Sequence, residues 1–159
     1  MIPPEFHDVF RRNFLVCGLP DSVIDEVAGL ASYAAGVAGD ALIKKGEKSG
    51  DLLVILEGKA AVYSPKGDKL AEVGPGGVIG EVALVDDQPR SADVVCVGMV
   101  KHARLPAGDL RRYMATEREA GFVMLANLAR VLSMRLRNAA IVLEELKEKA
   151  AQDPWKYAT

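Results

Sequence analysis

Between Ala41 and Leu105 the chain breaks into short apolar runs: Ala41-Leu42-Ile43, Leu52 to Leu56, Ala60 to Tyr63, Leu70 to Val73, Val94 to Val97 and Val100 to Leu105. Lys45-Gly46, Glu57-Gly58, Pro65-Lys66-Gly67-Asp68 and Gly74-Pro75-Gly76 separate them. Runs this short suit strands better than helices, and turns at this spacing fold them back on one another. The pattern predicts a sandwich or barrel of antiparallel strands. Helical patterns flank it. Phe6, Val9, Phe10 and Phe14 fall near helical spacing, and Leu19-Pro20-Asp21-Ser22 opens a second helix with Asp21 or Ser22 as its cap. Pro106-Ala107-Gly108-Asp109 opens another through about Met114. The class is α+β.

The segment from Glu117 to about Ala150 is a different kind of object. Phe122, Leu125, Ala129, Leu132, Leu136, Ala139, Leu143 and Leu146 step by three and four, the seam of a coiled-coil partner. Met124, Leu128 and Val131 add a second apolar face in its first half. A helix apolar on two faces buries both, one against its own strands and one against something else. The expected organisation is residues 1–116 as N-terminal helices plus strands, 117–150 as a long helix that joins a homodimer, and 151–159 as a tail. Trp155 and Tyr157 in that tail lie on the surface or cap a cavity.

Composition excludes several classes. With 159 residues, half of them apolar, the chain is long enough to bury one substantial core. A net charge of −2 lacks the basic excess of a nucleic-acid surface. No apolar run approaches the ~20 residues that cross a bilayer. Met1-Ile2-Pro3-Pro4-Glu5 has no signal-peptide character, so a cytoplasmic location is expected. Cys17 and Cys96, both among apolar neighbours, are expected as buried thiols. His7 and His102 stand far apart without metal-ligand spacing, which argues against a metal or haem.

Chemistry concentrates between Gly76 and Val94. Gly76, Gly77 and Gly80 let backbone approach a ligand closely. A one-turn helix beginning at Gly80-Glu81 offers free N–H groups to an anion. Arg90 supplies a planar fork of donors that matches phosphate oxygens, and Ser91 adds a hydroxyl donor. Glu81 makes sense beside a phosphate only if it turns away and accepts from a sugar hydroxyl. An anion site next to a sugar acceptor implies a nucleotide. No residue pairs a nucleophile with a base, since Ser91 has no histidine nearby, so no catalytic residue is assigned. Asp86-Asp87 and the pair Arg111-Arg112 are expected to face solvent.

On these residues the chain resembles the cyclic-nucleotide-binding domains of catabolite-activator regulators, protein kinase A regulatory subunits and cyclic-nucleotide-gated channels. Gly80-Glu81-Val82-Ala83-Leu84 and Pro89-Arg90-Ser91-Ala92 match the family's phosphate-binding cassette, with Ile79 in place of its phenylalanine. Lys45-Gly46-Glu47, Asp51 to Gly58 and Gly74-Pro75-Gly76 extend the likeness, which covers roughly Leu19 to Leu146. The resemblance implies a jelly-roll-like antiparallel β-roll with N-terminal helices, a short cassette helix and a long C-terminal helix. It implies a cyclic-nucleotide ligand, with no prosthetic group, held by Gly80, Glu81, Val82, Ala83, Arg90, Ser91 and Ala92. Val62, Leu70, Val73 and Ile79 would line the sugar and base side, and Arg135 and Leu136 would meet the base. Ser91 rather than threonine favours cAMP over cGMP. The output would be a repositioned C-terminal helix, read by a downstream partner that the sequence does not identify.

Two rivals remain. A DNA-binding regulator of the catabolite-activator type needs a helix-turn-helix after the long helix, and only Ala151 to Thr159 follow it, unless the chain is a sensor fragment. A dimerisation module with an empty cavity, or with another ligand such as a cyclic dinucleotide, leaves Arg90 and Glu81 unexplained.

Overall fold

The run Leu52 to Leu56 is apolar at every position because its strand is buried on both faces. Leu52, Val54 and Leu56 join a core shared with the helices, while Leu53 and Ile55 point into a second core between two sheets. The computed structural model describes residues 1–152, so the tail aromatics Trp155 and Tyr157 lie outside the described residues. The strands are β1 (Ser32–Gly36), β2 (Ala41–Ile43), β3 (Leu52–Glu57), β4 (Ala60–Tyr63), β5 (Lys69–Val73), β6 (Val78–Ile79), β7 (Asp93–Cys96) and β8 (Val100–Leu105). They form two four-stranded sheets, ordered β1-β8-β3-β6 and β2-β7-β4-β5, with antiparallel pairing throughout. This is the expected antiparallel roll.

Two strands carry no apolar run. β1 reads Ser-Tyr-Ala-Ala-Gly and exists because it pairs along its whole length with β8, from Ser32 opposite Arg104 to Gly36 opposite Val100. β6 is two residues held against Leu53 and Val54 of β3. Pairing across the sheet, rather than local propensity, makes both.

The helices are α1 (His7–Arg11), α2 (Asp21–Gly29), α3 (Glu81–Asp86), α4 (Ala107–Thr116) and α5 (Arg118–Gln152). The N-terminal helical pattern is broken at Asn13. Its amide donates to the Phe10 carbonyl at 2.6 Å and its oxygen accepts from the Leu15 N–H at 3.0 Å, which ends α1 and starts a 3-10 turn at Phe14–Val16. α2 begins without a side-chain cap. Pro20 holds the cap position and Asp21 is already helical, so neither Asp21 nor Ser22 serves as predicted.

α5 is docked at its base and free beyond it. Met124 and Leu128 are buried, and the buried Asn127 amide donates to the Leu15 and Cys17 carbonyls at 3.0 and 2.9 Å. That face meets the 3-10 turn Phe14–Val16 and α4 more than the strands. The predicted seam points the other way, with Phe122 75% and Leu136 72% exposed. From Ser133 to Gln152 every residue is exposed. Cys96 is buried as expected, whereas Cys17 is exposed, because the Phe14–Val16 turn buries Leu15 and Val16 instead.

Candidate functional site

β6 ends at Ile79, and the next residue, Gly80, with a φ of +92°, turns the chain abruptly into α3. Only glycine fits there. A Cβ would stand 2.5 Å from Arg90 Nη1 and 2.9 Å from the Asp51 carbonyl, besides the strain of a left-handed backbone. The turn closes a cavity of about 550 Å³ between the second sheet and the segment 79–92. Its wall includes Val62, Leu70, Val73, Ile79, Gly80, Glu81, Val82, Ala83, Arg90, Ser91, Ala92 and Arg135. Those predicted residues are therefore brought together by the fold. Leu136 is not among them and points to solvent, one residue round the helix from Arg135.

Arg90 is the electrostatic centre. Its residue is 6% exposed, and its Nη1 donates to the Gly80 carbonyl at 3.1 Å while Nη2 donates to the Asp51 carbonyl. The buried Nε has no hydrogen-bond partner. Among the described residues Arg90 makes no ion pair, because the Asp51 carboxylate is taken by Arg104 at 3.4 Å and by the Ala107 N–H at 3.1 Å. Burial pushes the Arg90 pKa below its ordinary value and Arg104 adds to this, against the pull of Asp51 and Glu47. A buried cation without a neutralising contact is costly, and an anion entering the cavity relieves it.

Glu81, the first residue of α3, is 2% exposed. Its Oε1 pairs with Arg135 Nη1 of α5, whose side chain is 52% exposed. The carboxylate is thus buried in the cavity wall with one oxygen committed to the long helix, and a carboxylate has acceptor capacity on the other. Arg135 is brought to the cavity, but onto Glu81.

Sequence reasoning missed two features. Asp51, at the head of β3, gathers Arg90, Arg104 and the first N–H of α4 through its carbonyl and carboxylate. Arg111 was expected to face solvent, yet its Nε and Nη2 donate to the Leu84 carbonyl at 3.1 and 2.8 Å. Its partners are backbone carbonyls, which leave no mark in a sequence; Arg112 stays exposed, as expected. Asp86 and Asp87 are both exposed, as expected; Asp86 also borders the cavity, and Asp87, at φ +56°, pairs with Arg111 at 3.4 Å.

Residues 37–117 match the cyclic nucleotide-binding domain as a protein family. The chain is similar to Glutaminase 2 of Bradyrhizobium diazoefficiens, 30% identical over 70% of this chain but only 18% of the length of that enzyme. Among solved structures, it is similar to the N-terminal domain of a transcriptional regulator from Streptomyces coelicolor A3(2), with 34% identity and a TM-score of 0.72 over 80% of this chain and 94% of that one. It is also similar to the Thermus thermophilus catabolite activator protein, with 26% identity and a TM-score of 0.76 over 85% of this chain and 63% of that one.

Proposed function

The chain belongs to the cyclic nucleotide-binding domain family, and we propose that it acts as a non-catalytic receptor whose cavity takes cAMP in preference to cGMP. The observation that carries the cyclic-nucleotide reading is Arg90, a buried cation in the cavity wall with no ion pair among the described residues; the preference for cAMP rests on Ser91, where threonine would favour cGMP. A cyclic phosphate supplies the missing single negative charge. Arg90 then holds the exocyclic oxygens, with Ser91, Ala92 and the Gly80 to Ala83 backbone completing the anion site. The second oxygen of Glu81 accepts from the ribose 2′-hydroxyl. Val62, Leu70, Val73 and Ile79 cover the apolar parts of sugar and base.

The ligand's effect reaches α5 because Glu81 is both the ribose acceptor and the partner of Arg135. A ligand moves an equilibrium only by its difference in affinity for two states, and this shared carboxylate supplies such a difference. The exposed seam from Phe122 to Leu146 pairs with a second copy of the chain. Arg90→Ala tests the binding assignment by calorimetry. Charge-assisted hydrogen bonds are worth ~1.5–3 kcal/mol each, so cAMP affinity falls by roughly 10- to 100-fold or more. Arg90→Lys rescues poorly because a point charge lacks the fork. Wild-type affinity in Arg90→Ala would remove the phosphate role.

A second reading places the same receptor inside a larger protein, as the sensor of a transcriptional regulator or of an enzyme. The extents of the matches favour it: the Streptomyces relative is an N-terminal domain, and the chain spans under a fifth of the glutaminase.

A further inference from the structure

Arg111 reaches from α4 to the C-terminal turn of α3. Besides its two hydrogen bonds to Leu84, Nη2 donates to the Ala83 carbonyl at 3.3 Å and to Asp87 Oδ1 at 3.4 Å. The Ala83 carbonyl already accepts from the Asp87 N–H at 3.1 Å, so Arg111 adds a second donor there, and the carbonyls of this last turn carry the negative end of the helix dipole, which suits a guanidinium. The start of α4 is tied to the same region, since the Ala107 N–H donates to Asp51 Oδ1 and the Asp51 carbonyl accepts from Arg90. The packing at this junction is tight. A Cβ on Gly50 would stand 3.0 Å from Ala107 Cβ, 3.3 Å from the Ala83 carbonyl and 3.6 Å from Arg111 Nη2. α4 cannot slide past α3 without breaking these bonds.

We propose that Arg111 fastens α4 to α3, so that a shift of α3 around a bound cyclic nucleotide is carried into α4 and, through the junction at Glu117, into α5. This route is separate from the Glu81–Arg135 pair, and it rests on the binding function proposed above. Arg111 does not line the cavity. It is a positioning residue, and its loss interrupts transmission while binding persists.

Hydrogen exchange with and without saturating cAMP separates these effects, using the wild type, Arg111→Met, Arg111→Lys and Arg135→Ala. In the wild type cAMP slows exchange in residues 81–86, in 107–116 and around 130–140. Arg111→Met keeps the first effect and loses the second. Arg111→Lys recovers much of it, because an ammonium donates to the Leu84 carbonyl. Arg135→Ala keeps the effect in 107–116. An equal cAMP effect on 107–116 in Arg111→Met and wild type would overturn the proposal. So would cAMP binding to the wild type with no change in 107–116, which leaves the receptor function standing. Failure of the wild type to bind cAMP at all overturns both.

Discussion

A buried carboxylate that gives one oxygen to a cation keeps the other for a neutral donor, and Glu81 is placed to use both. Loss of the sugar donor therefore shows at once. Because a hydrogen bond to a charged group contributes about 1.5–3 kcal/mol, 2′-deoxy-cAMP binds the wild type roughly 10- to 100-fold more weakly than cAMP. Glu81→Ala binds the two alike, and equal affinities in the wild type would refute the ribose role. Removing the cation has a different signature. Arg135→Ala strands a buried charge and lowers the thermal midpoint; the half-exposed arginine makes this cost smaller than the ~3–5 kcal/mol of a fully buried pair. Gly80, Glu81, Arg90 and Ser91 were legible because they lie within twelve consecutive positions and their chemistry is in their side chains. Arg135 was legible only through the family resemblance. Asp51 and Arg111 were not, since much of what they hold is backbone.

Elements divide along the same line. β3 announces itself because burial on two faces demands apolar residues at adjacent positions, as at Leu52 to Leu56. β1 and β6 do not, because their partners make them strands. The first helical pattern carried the right apolar spacing but hid the break at Asn13, whose side chain competes for the backbone. α5 shows both predicted faces, one docked through Met124 and Leu128 and one exposed through Phe122 and Leu136. If that exposed seam joins two copies, each buried leucine contributes ~1.5–3 kcal/mol. Leu136→Glu then releases monomers that still bind nucleotide, as light scattering combined with titration reports. A wild type that scatters as a monomer at high micromolar concentration contradicts the seam as an interface.

At the scale of the whole molecule, two cores share one sheet. The core between the sheets supports the cavity wall through Ile43, Ile79 and Val94, and the core beneath the helices anchors the base of α5. The cavity is walled by the second sheet and the segment 79–92, and the exposed length of α5 reaches it through Arg135, which pairs with Glu81. The proposed receptor would recognise the charge of its ligand. One buried guanidinium without an ion pair matches the single charge of a cyclic phosphodiester, whereas the dianion of 5′-AMP leaves a charge uncompensated beside Glu81. Calorimetric titration of the unmodified chain with cAMP, cGMP and 5′-AMP tests this most directly. The prediction is one cAMP per chain, bound more tightly than cGMP and at least about tenfold more tightly than 5′-AMP, a difference of ~1.4 kcal/mol. No binding of either cyclic nucleotide, or equal affinity for cAMP and 5′-AMP, would contradict it.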